Sequence, residues 1–163
     1  GGFVAMDLQL KLNRQGKNAI AWRDSHNALT SLSLLGPGDA LVAISHSGTT
    51  VDTVDVMQAF KNRGVTIILI TNALRSPATT VADIVLTTSA RETTFRSGAT
   101  ASRIAQLTVV DCLCVALAQR NWSGTRAALD QSRAAVGSRS GRKMVESNTR
   151  KPDQKPTRSR GGK

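Results

Sequence analysis

The sequence predicts a doubly wound α/β domain, a parallel sheet with helices on both faces in three layers. Three observations predict it. Short aliphatic runs alternate with segments of helical periodicity, the order that parallel strands with crossover helices require. The apolar residues are mostly Ala, Val, Leu and Ile, with aromatic residues at 3% and no tyrosine, which suits strands covered on both faces. Finally, the run Asp39-Ala40-Leu41-Val42-Ala43-Ile44-Ser45-His46-Ser47-Gly48-Thr49-Thr50 passes from an apolar strand into hydroxyls around one glycine, just before a helical pattern. In open α/β sheets, ligands sit beyond the carboxyl ends of the strands, where this loop falls.

The elements follow in order. Val4, Ala5, Leu8 and Leu12 share one face of a helix that runs to Gln15, with Asp7, Lys11 and Arg14 opposite. Gly16 ends it. Asn18 to Trp22 reads as a short strand. Asp24 and Ser25 cap a helix reaching about Leu35, where Gly36-Pro37-Gly38 forces a turn. Leu41 to Ile44 is the next strand, and the hydroxyl loop leads into a helix from about Val51 to Asn62. Gly64 closes that helix, and Val65 to Ile70 is the plainest buried strand. Thr71 and Asn72 leave it at the same edge as the hydroxyl loop. Ser76-Pro77 opens a short helix with proline at its favoured first position. Asp83 to Leu86 is another strand, and Glu92, Thr93 and Arg96 lie beyond it at the ligand edge. From about Thr100 to Gln119 a long helical pattern is apolar almost all round and reads as buried. Half of it is expected to cover the sheet and the rest to meet a partner subunit, which predicts a homo-oligomer, dimer or tetramer.

A chain of 163 residues, 40% of them hydrophobic, buries one ordinary core. Residues 1–136 are assigned to that domain and 137–163 to a basic, disordered tail, because the last stretch is poor in apolar residues. The formal charge of +11 divides unevenly. Residues 1–120 carry 11 Lys and Arg against 8 Asp and Glu, while residues 121–163 carry 11 against 3. The excess belongs to the tail, which reads as a solvated segment or as an arm with weak, salt-sensitive affinity for nucleic acid. Cys112 and Cys114 form neither a disulfide framework nor a zinc site and read as small buried thiols in a reducing, cytoplasmic setting. No stretch reads as a membrane span or a signal peptide. The chain opens on Gly1-Gly2 and enters a helix at once, where a sheet of this class starts with a strand. The domain is therefore expected to be N-terminally truncated, with its first strand upstream.

The hydroxyl loop carries the chemistry. Helix N-termini favour anions, and loop N–H groups and hydroxyls donate to phosphate oxygens. Ser45, Ser47, Thr49 and Thr50 supply hydroxyls, and Gly48 lets the backbone approach a ligand. No lysine of the Walker type is present. The pattern points to a phosphorylated small molecule held by neutral donors, with no cofactor and no metal.

Ser45-His46-Ser47-Gly48-Thr49-Thr50 resembles the signature of the sugar isomerase (SIS) domain, Ser-x-Ser-Gly-x-Thr after a buried strand. The wider pattern resembles the C-terminal SIS domain of RpiR-type transcriptional regulators. It includes Leu35-Gly36-Pro37-Gly38-Asp39, Thr71-Asn72, Ser76-Pro77, Ala82-Asp83, Glu92 to Gly98 and Ala101 to Leu107. The resemblance covers roughly residues 1–135. It implies a flavodoxin-like or Rossmann-like sheet and an effector domain that senses a sugar phosphate. It also implies DNA binding through an N-terminal helix-turn-helix domain that this sequence lacks. Carried onto this chain, Ser45, Ser47 and Thr50 match the phosphate-binding hydroxyls, and Gly48 and Thr49 shape the loop. His46 and Glu92 are added as contacts to the sugar.

The competing class is an aldose–ketose isomerase of the same superfamily, which needs a general base and a ring-opening group. Glu92 is the carboxylate placed for the first role, with His46 the nearest candidate acid. The structural alternative for Glu92 is a cap or a salt bridge to Arg91, Arg96 or Arg103. His26, remote from the loop in sequence, reads as a surface residue.

Overall fold

The computed structural model describes residues 1–91 and 100–149, with side chains as far as 137. Its sheet has three parallel strands, β1 (Ala40–Ile44), β2 (Thr66–Thr71) and β3 (Ile84–Thr87), side by side in that order. Alternate residues of these strands feed two cores, one on each face. Leu41, Ala43, Ile67 and Leu69 pack under α2 (Ser25–Thr30), α3 (Val51–Lys61) and α4 (Pro77–Val81) through Ala28, Met57, Phe60, Ala78 and Val81. Met57 and Phe60 are fully buried, and Trp22 stacks on Phe60 with ring centroids 5.8 Å apart. On the other face, Val42, Ile44, Ile70 and Leu86 meet Val4 and Leu8 of α1 (Gly2–Arg14), and Val110 and Cys114 of α5 (Thr100–Arg120). This is the three-layer, doubly wound arrangement expected from the sequence.

Polar links tie the outer helices together. The Lys11 ammonium bonds Asp7 on its own helix at 2.6 Å and Asp111 on α5. These two carboxylates raise the Lys11 pKa. Gln15 donates to the Cys114 carbonyl at 3.0 Å. Burial pushes the Cys114 thiol up, so it stays protonated and packs as a small apolar group.

At the amino end of the sheet, Asp83 performs a similar service. Its carboxylate accepts the Ile67 N–H at 2.8 Å and the Lys61 ammonium at 3.0 Å. The backbone bond from Ile67 and then the lysine hold its carboxyl below the usual value. Lys61 also donates to the Val81 carbonyl at 2.6 Å, fixing α3 against α4.

Several expectations need correction. Asn18 to Trp22 forms no strand: the N–H groups of Ala19 and Ala21 are taken by the side chains of Asn13 and Gln9 on α1, each at 3.0 Å. The helix expected from Asp24 to Leu35 divides into α2 and a 3-10 turn at Leu32–Leu34, because Asn27 and Ala28 carbonyls close on Ser31. The long helix α5 is not buried all round. Ser102, Gln106, Val110 and Cys114 form its buried stripe, while Ile104 (62%) and Val115 (57%) are exposed. By length and composition α5 does pass as a membrane span, contrary to the expectation that no stretch would. In this fold its buried stripe covers β2 and packs beside α1. Cys112 is exposed rather than buried, since it falls off that stripe. Finally, the boundary set at 136/137 falls inside α6 (Trp122–Thr149), so the segment expected to be disordered begins as helix. No proline interrupts the sequence between Trp122 and Thr149; the first breaker of that kind is Pro152.

Candidate functional site

β1 delivers the chain to the carboxyl edge of the sheet, and the Ser45 N–H still bonds the Ile70 carbonyl at 3.0 Å, as a last rung of the ladder. The chain then turns. Gly48 sits at φ +66, a region costly for side-chain-bearing residues. A Cβ at this position would lie 2.2 Å from Ser76 Oγ and 2.7 Å from Ser76 Cβ. The Gly48 carbonyl accepts the Ala78 N–H at 3.0 Å, so the loop is clamped to the first turn of α4. Ser76 opens that helix with a reciprocal capping box to Thr79. Glycine is required here by both conformation and space.

The hydroxyls have different jobs. Ser45 is buried, and its Oγ accepts the Gly48 N–H at 3.1 Å, which folds the turn from inside. Ser47 and Thr49 are exposed, share a hydrogen bond of 2.9 Å, and the Thr49 N–H reaches Ser47 Oγ at 3.3 Å. Thr50 is the N-cap of α3, and its side chain makes no capping bond. The first turn of α3 therefore presents its positive end without a side-chain acceptor from the cap. The loop offers two exposed, adjacent hydroxyls in front of an uncapped helix end.

Neighbouring strands brace this loop. The His46 carbonyl accepts the Asn72 N–H at 3.1 Å and the Thr71 hydroxyl at 3.3 Å. Asn72 Oδ1 in turn accepts the Ala90 N–H at 2.7 Å and the Thr88 hydroxyl at 3.3 Å. The His46 side chain is half-buried, and its Nδ1 has no hydrogen-bond partner among the described residues. Of the site residues expected from the sequence, Ser45 to Thr50 are brought into one turn. Glu92, with Thr93 and Arg96, lies outside the described residues. His26 is exposed on α2, as expected.

The start of α1 reaches the same edge. A Cβ on Gly1 would meet the Ile44 carbonyl oxygen at 2.5 Å, and one on Gly2 would meet Arg23 Cγ at 3.5 Å. A groove of about 1050 Å³ runs from here along the free edge of β1, lined by Gly1, Leu8, Trp22, Arg23, Ile44 and Thr50 among others. The Arg23 and Arg103 guanidinium groups both lie over the Phe3 ring, at 5.1 and 5.6 Å. The sequence puts Thr71 at the edge of the hydroxyl loop and Ser76 at a helix cap, without linking Ser76 to Gly48, and it carries no signal for Arg23.

The comparisons with known proteins bear on this edge. The model of the SIS domain family matches residues 1–116. The chain belongs to the SIS domain family. It is 43% identical over 122 residues to an uncharacterised HTH-type transcriptional regulator of Caldanaerobacter subterraneus, covering 75% of this chain and 43% of that protein. It is 36% identical over 118 residues to the HTH-type transcriptional regulator RpiR of Escherichia coli, covering 72% of this chain and 40% of RpiR. The chain thus spans less than half the length of these curated relatives. Among solved structures, the Vibrio vulnificus NanR protein complexed with ManNAc-6P superposes with a TM-score of 0.76 at 27% identity, over 83% of this chain and 51% of NanR. The sugar isomerase domain of the RpiR transcription factor from Sphaerobacter thermophilus gives a TM-score of 0.71 at 24% identity, over 82% of this chain and 73% of that one, and so speaks for the fold. In sequence this SIS chain resembles HTH-type transcriptional regulators, RpiR of Escherichia coli among them.

Proposed function

We propose that this SIS domain senses a sugar phosphate, as the effector domain of an RpiR-type transcriptional regulator. The observation that carries the reading is the exposed Ser47–Thr49 hydroxyl pair in front of the uncapped first turn of α3. A phosphate there would receive the hydroxyls of Ser47, Thr49 and Thr50 and the N–H groups of Val51 and Asp52, without a lysine. Ser45 and Gly48 hold the turn, Ser45 from beneath it and Gly48 by leaving room for Ser76. We assign His46 and Glu92 to the sugar hydroxyls. The reading is supported by the likeness to NanR, whose solved complex holds ManNAc-6P.

In this reading the domain is a sensor, not an enzyme, and needs no cofactor. It acts in the cytoplasm as a homo-oligomer joined through the exposed apolar face of α5, where Ile104 and Val115 lie open. DNA is engaged by a helix-turn-helix domain outside this sequence.

The test is a thermal-shift series with sugar phosphates, each paired with its unphosphorylated sugar. Stabilisation that depends on the phosphate and is lost in Ser47→Ala supports the reading; equal shifts from the plain sugars refute it. The isomerase alternative stands on Glu92, the carboxylate that the sequence offers as general base. Aldose–ketose interconversion abolished by Glu92→Gln would replace the sensor by that enzyme.

A further inference from the structure

Two arginines from different parts of the chain converge on one exposed ring at the edge of the sheet that carries the hydroxyl loop. Phe3, in the first turn of α1, is 63% exposed. The Arg23 guanidinium, from the segment before α2, lies 5.1 Å from its ring centre, and that of Arg103, in the first turn of α5, lies 5.6 Å away. Stacking uses the face of a guanidinium and leaves its N–H edge free to meet an oxyanion. Among the described residues neither arginine has a carboxylate partner. The carboxylates on the same elements are taken. Asp24 accepts the Asn27 N–H at 2.8 Å and the Asn27 side-chain amide at 2.6 Å, while Asp7 and Asp111 both meet Lys11. Two like charges gathered on one ring, with no carboxylate of their own, make a place for an anion.

The position ties this pair to the hydroxyl loop. Arg23 lines the groove that also takes in Gly1, Ile44 and Thr50, with Asp52 at the α3 end. Its Cγ lies 3.5 Å from where a Cβ on Gly2 would stand. Gly1, one residue back, abuts the carbonyl of Ile44, the last residue of β1 before Ser45.

We propose that Arg23 and Arg103 read a second anionic group on the effector, so that the preferred ligand is a sugar phosphate that also carries a carboxylate or another phosphate. The inference rests on the hydroxyl loop taking the first phosphate and names the class of ligand beyond it. A carboxylate fits the paired N–H groups of one guanidinium, and a phosphate has oxygens enough for both. Phe3 is a positioning residue: it holds the two guanidinium groups at one point without consuming their donors. The hydroxyls anchor the ligand, and the arginines discriminate among sugar phosphates by the far end.

The test is titration calorimetry of the full chain with two matched pairs of ligands. 6-Phosphogluconate is set against glucitol 6-phosphate, which has a hydroxymethyl group in place of the carboxylate, and fructose 1,6-bisphosphate against fructose 6-phosphate. The first pair isolates a carboxylate and the second a phosphate. In at least one pair the doubly anionic member should bind about tenfold more tightly or better, the margin that a hydrogen bond to a charged group supplies. Arg23→Gln and Arg103→Gln should each reduce that margin and leave the affinity for the monophosphate unchanged. Phe3→Leu, which keeps both charges, should reduce it in part. Circular dichroism of the three variants verifies that the fold is retained. Monophosphate binding that depends on Ser47, with no gain from a second anion in either pair, overturns this inference and leaves the proposed function standing. A gain that persists undiminished in both arginine variants overturns it as well. Failure of every phosphate to bind overturns the proposed function and this inference together.

Discussion

The two ends of the sheet use their polar groups in opposite ways. At the amino end, Asp83 meets the Ile67 N–H and Lys61, and Lys61 meets the Val81 carbonyl, so charge is closed on charge within the chain. At the carboxyl end, Ser47 and Thr49 find only each other and one loop amide, and α3 begins without a side-chain cap. A protein that needed only stability would close both ends. In the proposed function the open end takes the ligand, and the closed end keeps the strands in place.

The largest effect that would break this contrast is at Gly48. Gly48→Ala should cost on the order of 1–3 kcal/mol from the left-handed backbone alone, and the contact with Ser76 adds to it. Denaturant unfolding should show the loss, and sugar-phosphate affinity should fall with it. Ser45→Ala comes next. It orphans the buried Gly48 N–H and should destabilise by about 1–3 kcal/mol. Both positions belong to the turn, so both should move stability and binding together.

Ser47→Ala sharpens the comparison, since its hydroxyl supports little of the fold. Stability should stay within about 0.5 kcal/mol of the parent, while sugar-phosphate binding weakens by about 1–3 kcal/mol by calorimetry. A large stability loss here would make the hydroxyl pair structural and remove the distinction between the two ends.

The smallest effect belongs to the closed end and is read through pH. The folded pKa of Asp83 lies below its ordinary value of 3.8. Its stabilisation is therefore complete above 3.8 and is lost as the pH falls through the folded value. Asp83→Asn should lower Tm modestly at neutral pH, and the gap to the parent should close in acid. Sugar-phosphate affinity should not change. A gap that persists below the folded pKa would mean that the carboxylate charge is not what holds Ile67 and Lys61.

Much of this was legible in the sequence for physical reasons. Val65 to Ile70 is apolar, β-branched and bounded by glycine and polar residues, so its pattern admits only a buried strand. Ser76-Pro77 fixed the start of α4 because the serine caps and the proline costs nothing at the first turn. Ser45 to Thr50 could be placed at a strand end because hydroxyls and glycine follow an apolar run. What was not legible depended on contacts distant in sequence. The N–H groups of Ala19 and Ala21 look strand-like until Gln9 and Asn13 take them. The sequence offers Ser45 only as a ligand hydroxyl; its burial and its bond to Gly48 add that it supports the turn. The clamp of Ser76 on Gly48 joins two loops, 28 residues apart, that no local pattern connects.

The most direct test of the open end is an amide chemical-shift titration of the chain with a panel of sugar phosphates, each against its unphosphorylated sugar. The expected result is saturable movement of the Ser47, Gly48, Thr49, Val51 and Asp52 amides with the phosphates alone, and none at Ile67 or Asp83. Shifts that are equal for the plain sugars, or that gather elsewhere while this loop stays still, would contradict the assignment of the hydroxyl loop as the phosphate site.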